Sequence, residues 1–213
     1  IANNGFAQTS DLLISEYSEG SSNNKYIELF NGTGSDVDLS SYEVWKIANG
    51  GIWTEYSLSL SGTLADGDVY VIYNSSSDAT IIASGDITWS QANFNGDDAV
   101  GLAKDISGTM TLIDAVGEDG SDPGSGWSVA GTSNGTANKT LVRKPDICSP
   151  NTNWTTSSGT NTTDSEWTVY AQNTWSYIGS HSSNCSSSSA TTPSAPTISS
   201  IDNGEGQVTV NFT

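Results

Sequence analysis

The sequence predicts an all-β chain, an Ig-like antiparallel β-sandwich, and three observations carry that prediction. Short runs of alternating or β-branched apolar residues recur throughout its 213 residues. Turn-forming Gly, Asn, Asp and Ser punctuate them every several residues. No stretch sustains a helical period with caps, so little helix is expected. With 22 Gly against 5 Pro, and seven Trp and eight Tyr available to fill a core, many short strands are favoured over long helices. Eight to ten such strands without helical crossovers make a sandwich the expected architecture.

The pattern starts in residues 11–31 (DLLISEYSEGSSNNKYIELFN), two strands joined by a polar loop over 18–24. Strict alternation places Leu12, Ile14 and Glu16 on one face of the first strand, with Leu13, Ser15 and Tyr17 on the other. On the second, Ile27 and Leu29 oppose Tyr26, Glu28 and Phe30. Residues 42–47 and 53–60 flank Ala48-Asn49-Gly50-Gly51, a hairpin signal because Asn-Gly readily adopts positive φ. Further strands are expected at 69–73, 80–83, 99–103, 111–116, 140–144, 166–170 and 174–178, with an acidic, turn-rich loop at 118–126.

Several blocks resemble the bacterial branch of the lamin-tail domain family. They are I-S-E-Y-x-E-G-S-S-N-N-K-x-I-E-L-F-N from Ile14, V-D-L-S-S-Y from Val37, L-S-G-T-L from Leu60 and G-D-V-Y-V from Gly67. F-N-G-D-D-A-V-G-L from Phe94, D-P-G-x-G-W from Asp122, T-L-V-R-K from Thr140 and E-W at Glu166 continue the series in order over about 170 residues. The resemblance implies an Ig-like fold and a non-catalytic accessory module, of the kind joined in bacteria to secreted hydrolases, including nucleases, or to adhesive modules. A shared fold does not fix an activity.

The expected organisation is a lamin-tail-like sandwich over 1–185, a Ser/Thr/Pro linker over 186–196, and the truncated start of a second domain over 197–213. In that last piece Ala195-Pro196-Thr197-Ile198 and Gln207-Val208-Thr209-Val210-Asn211-Phe212 look like the opening strands of a fibronectin type III domain. Residues 1–10 lack the basic start and apolar centre of a signal peptide, and no run reaches the length of a membrane span.

Six basic residues against 24 acidic ones give a net charge of −18. A phosphate backbone would be repelled by that field, so direct nucleic-acid binding is not expected. The expected setting is secreted or cell-surface, the expected state monomeric, and the expected partner a protein or polysaccharide. Cys148 and Cys185 are the only cysteines; one disulfide between them is expected in a secreted chain, with two free thiols in a reducing compartment as the competing reading. One histidine cannot complete a zinc site of the usual kind.

Glu16, Glu28, Asp97, Asp98, Asp114 and Asp119 are candidate ligands for a structural Ca²⁺, which takes six to eight oxygens from carboxylates, carbonyls and water. Solvated turn residues are the competing reading, and no EF-hand spacing is present. Glu16 and Asp114 share faces with apolar residues, and a buried carboxylate needs a partner, a metal or a proton. Lys25, Lys104, Arg143 and Lys144 are the available cations. Nucleophilic catalysis would have to use His181 at the end of the domain, and no G-x-S-x-G or H-E-x-x-H occurs. A paired-carboxylate hydrolase stays open from sequence alone. Trp45, Trp53 and Trp127 are candidate ligand-stacking residues, with core packing as the competing reading. A purely structural spacer is the alternative to a binding module.

Overall fold

A computed structural model describes residues 8–120, 122–185, 198–204 and 207–212. The chain divides into two compact units, the larger being Phe6–Ser186. The larger is the predicted sandwich. Its first sheet has six strands in the order β12 (Trp167–Ala171), β11 (Lys139–Arg143), β1 (Leu13–Glu19), β2 (Lys25–Phe30), β7 (Val69–Tyr73) and β8 (Ile87–Thr88). The second has four, in the order β10 (Thr109–Val116), β9 (Ala99–Ile106), β4 (Tyr42–Ile47) and β5 (Tyr56–Ser59). A small ladder joins β3 (Val37–Asp38) to β6 (Thr63–Leu64). Every pairing is antiparallel except the short β7–β8 edge, which is parallel. The described residues of the second unit form one antiparallel hairpin, β13 (Ile198–Gly204) with β14 (Gln207–Phe212). The linker expected over 186–196 lies outside the described residues.

Between the two sheets lies a core to which each contributes its inner face. Ile14, Tyr17, Ile27, Leu29, Ile72 and Leu141 come from the six-stranded sheet, and Val44, Val100, Leu102 and Val116 from the four-stranded one. Tyr17 and Phe94 stack inside it at 4.9 Å between ring centroids. β2 divides as alternation requires, Ile27 and Leu29 inward and Tyr26 outward. β1 does not. A bulge between Ile14 and Glu16 puts both Ile14 and Tyr17 on the core and turns Glu16 to the outer face. One extra residue shifts the alternation by one, which is what a bulge does.

Every residue of β1 and β2 is buried, so the outer face of the six-stranded sheet is also covered. Part of the cover is the helix α1 (Ala79–Ser84), whose Ile81 packs on Tyr26 and Val71. A strand was expected over 80–83; Asp78 instead caps a helix, its carboxylate accepting the Thr80 N–H at 2.9 Å. The rest is the segment over 173–182, which lies flat with Trp175 and Ile178 against the same cluster. A strand was expected at 174–178 as well, but this segment pairs with no ladder and its apolar side chains dock onto the face instead. The short α2 (Trp154–Ser158) closes one end of the core with Trp154.

Two covalent or ionic ties hold these layers. The disulfide Cys148–Cys185 fastens the end of the covering segment to the chain after β11. Arg143 of β11 and Asp114 of β10 form a fully buried pair at 2.5 Å that links the two sheets. Arg143 also bonds Glu166 at 2.5 Å and stacks over the Trp167 ring at 4.1 Å.

Two outcomes follow for stability, both measurable by chemical denaturation. Asp114→Asn or Arg143→Met should each cost about 3–5 kcal/mol, because each strands one buried charge, whereas a double change to apolar residues should recover much of the loss. Replacing both cysteines with serine should cost about 2–4 kcal/mol and raise amide exchange first over residues 173–185.

Candidate functional site

The six carboxylates proposed as one cation set do not meet at one point. Asp114 is committed: its two oxygens accept from the N–H groups of Ile14, Ala115 and Asn151 as well as from Arg143. Burial still pushes its carboxyl above the ordinary value, opposed by Arg143 and these N–H donors. Asp119 is exposed on the 117–122 loop. Asp98 bonds the N–H groups of Asn49 and Asn95, with the Lys46 ammonium at 3.4 Å. Asp97 stands apart at the rim of an open cup. Among the described residues no group of three or more His, Cys, Asp or Glu is placed to hold a metal.

Glu16 and Glu28 do come together, as direct partners across β1 and β2. Both are fully buried beneath the 173–182 segment. The Tyr26 hydroxyl donates to Glu16 Oε2 at 2.6 Å; Glu28 accepts from the Ser15 hydroxyl at 2.7 Å and from the Gly179 N–H at 2.7 Å. Burial, with the Glu28 charge adding, raises Glu16 to about 8, and burial raises Glu28 to about 7. At pH 7 Glu16 is then mostly protonated and Glu28 about half so, which eases their burial under an apolar cover without a counter-ion. His181 packs edge-on to Phe30 at 4.8 Å, and burial followed by the Arg143 charge lowers it to about 4. Both carboxyls are thus shut from solvent by the 173–182 segment, which acts as a clamp on this face through the Gly179 N–H and the packing of Trp175 and Ile178.

The stacking candidates separate clearly. Trp127 is 9% exposed and packs edge-on to Trp154 in the core; Gly117 is required beside it, since a Cβ there would lie 2.8 Å from the indole. Trp45, 7% exposed, lies on the outer face of the four-stranded sheet with its Nε1–H donating to Glu43 at 2.8 Å. Trp53 is half-buried, 6.3 Å from Trp45, and covers Gly101. It belongs to the loop joining β4 and β5, which turns through Asn49 and Gly50, both at positive φ as their sequence predicts. The loop encloses a shallow concavity of about 460 Å³ lined by residues 48–55. Ile52 at its tip is 72% exposed, with Tyr56 exposed beside it. Glu55 ties the loop back by accepting the Ala48 N–H at 2.9 Å. Ile52 carries no sequence signal of its own; only its position after two glycines in a hairpin loop hints at a projecting tip.

The shifted groups under the clamp set a pH dependence. Folded Glu16 and Glu28 hold protons that the unfolded chain releases near 4.5, so the stability they contribute is complete below that pH and is lost as pH rises toward 8. His181 acts oppositely: its contribution is complete above 6.5 and is lost as pH falls toward 4. Between pH 6.5 and 8, therefore, only the two carboxyls of this patch change. Stability should fall by about 2 kcal/mol over that range, and Glu16→Gln should remove most of the fall, as read by denaturation at each pH.

The Lamin Tail Domain family matches residues 6–120, which span β1 through β10 and include the Glu16–Glu28 dyad, the tip loop and Asp97. Comparison with curated proteins finds no match. The family is one of Ig-like interaction modules without catalytic activity. With more than half its length matched and the sandwich in place, this chain belongs to the Lamin Tail Domain family.

Proposed function

We propose that the sandwich is a non-catalytic binding module of a secreted or surface multidomain bacterial protein, and that the tip loop over 48–56 is its contact surface. The observation that carries this reading is Ile52, a large apolar side chain 72% exposed on a loop that Glu55 and the Asn49-Gly50 turn hold in shape. Apolar groups held out on a structured loop are contact points in search of cover. Glu55 and Asp122 lie against the turn, and the acidic 118–120 segment is tied to it by the Gly120 N–H donating to the Gly51 carbonyl at 2.8 Å, so a protein partner with an apolar patch inside a basic rim fits best. Sugar stacking is the weaker reading, because only Trp53 of the three tryptophans retains exposed ring surface. A disulfide supports an oxidising, extracellular setting, and among the described residues no helix is long and apolar enough to cross a membrane. On this reading the module tethers a catalytic or adhesive neighbour, a secreted hydrolase or nuclease for example, to its target.

Ile52→Ser and Tyr56→Ser test the surface without touching the core. Displayed peptides and insoluble polysaccharides would be screened with the intact chain, then with each variant. Expected is a peptide ligand, rich in Lys or Arg around an apolar anchor, whose affinity falls at least about tenfold in Ile52→Ser. A polysaccharide retained equally by Ile52→Ser would move the contact to another face. Failure of every probe would favour a spacer.

A further inference from the structure

We propose that the cup between the 95–97 turn and the 124–139 segment binds a calcium ion, with Asp97 as its anchoring carboxylate. The cup measures about 490 Å³, and its lining includes Glu19, Asn95, Asp97, Asn134, Asn138 and Lys139. Asp97 is only 8% exposed, yet its Oδ1 is buried without a hydrogen-bond partner. That is an unusual condition for a carboxylate, since a buried charge left unmatched costs more than almost any other polar defect. Its neighbours cannot supply the match. Asp98 is already engaged by Asn49, Asn95 and Lys46. Both oxygens of Glu19 are taken, one by the Lys25 ammonium and the other by the Asn138 N–H. Glu16 also keeps an unpartnered oxygen, but it lies beneath the clamp and is neutral at ordinary pH, so it has no comparable demand for a cation.

The field at the cup favours a positive ion. Burial raises the Asp97 carboxyl above its ordinary value; its own backbone N–H opposes this, and the charges of Asp98, Asp122 and Glu19 add to the rise. Of the nearby cations, Lys25 is spent on Glu19 and Lys46 on Asp98, and Lys139 alone in the lining remains to offset them. The donor chemistry selects the ion. The lining residues carry carboxylate, amide and hydroxyl groups, with no imidazole or thiolate, so a hard cation is called for, although the Asn138 amide oxygen already accepts from Gln172. Calcium accepts an irregular shell of six to eight oxygens, including water, whereas magnesium demands a tight octahedron. Because the carboxylates number two and one is already paired, affinity belongs in the range of extracellular modules, a Kd of about 0.1–1 mM.

The test is thermal unfolding of the intact chain, first in chelator and then in calcium at about ten times the Kd, with magnesium as a parallel arm. Calcium should raise Tm by about 3–6 °C. Asp97→Asn should abolish that shift, whatever its own Tm, and Asp119→Asn, on an exposed loop away from the cup, should keep it. Tryptophan-sensitised terbium luminescence, quenched by added calcium in the wild type and absent in Asp97→Asn, would give the same answer without unfolding. An unchanged wild-type Tm, an equal response to magnesium, or a full calcium shift in Asp97→Asn would each overturn the proposal.

Discussion

The two sheets of this sandwich are joined through the Asp114–Arg143 pair, and much of the surrounding backbone depends on it. Ile14 of β1 turns its N–H to Asp114 Oδ2 at 2.8 Å and its carbonyl to Arg143 Nε at 3.0 Å. Those groups have no strand partner on that side, because the β1–β11 ladder runs only from Glu16 to Ser18. A side-chain pair, one member from each sheet, thus completes the hydrogen bonding that the ladder leaves unfinished. Both strands that carry these contacts bulge at the same level, β1 between Ile14 and Glu16 and β10 between Leu112 and Asp114. An ion pair buried this fully rarely stabilises more than apolar packing would. Its value here is positional: four donors converge on Asp114, so its removal would leave several buried groups unmatched at once.

The bulge in β1 has a second consequence. It sends Glu16 outward to lie against Tyr26 and opposite Glu28, and so places two carboxyls on a face that the 173–182 segment then covers. The cover is joined to its face by the Gly179–Glu28 hydrogen bond and by Trp175 and Ile178, and its end is fixed by the disulfide. Protonation rather than pairing makes these carboxyls compatible with burial. This part of the domain is therefore sensitive to pH in the neutral range.

Where local chemistry decided the outcome, the sequence was legible. Asn49 and Gly50 turn at positive φ, β4 and β7 have the expected ends, and Cys148 pairs with Cys185. An ion pair for Asp114 was foreseeable from its apolar neighbours, though not which cation would serve. The departures arise where tertiary contacts decided. Residues 12–17 are apolar enough on both faces that alternation alone could not reveal the bulge at Ser15. Ile81 and Ile82 suggest a strand, but the Asp78 cap and a place against Tyr26 make a helix of them. Trp175 and Ile178 have the composition of a strand and no edge to join. Trp127 and Ile52 reverse the expected roles, the tryptophan filling the core while the aliphatic residue faces solvent, because position within a loop outweighs residue type.

The strong acidity of the chain is handled in distinct ways, and that contrast gives the Asp97 cup its meaning. Asp38, Asp78 and Asp164 sit at turns and caps where backbone or hydroxyl donors lower their carboxyls, so the charge is welcome there. Glu19, Asp11 and Asp114 are matched by Lys25, Lys104 and Arg143. Glu16 and Glu28 hold their protons until the pH rises through about 7 to 8. Asp97 fits none of these classes: it has neither a donor at Oδ1, nor a cation of its own, nor an apolar cover to keep it neutral. With six basic residues to serve 24 acidic ones, internal cations cannot supply every buried carboxylate. A carboxylate left over in an oxygen-lined cup then has one remaining route to neutrality, which is to take a cation from solution.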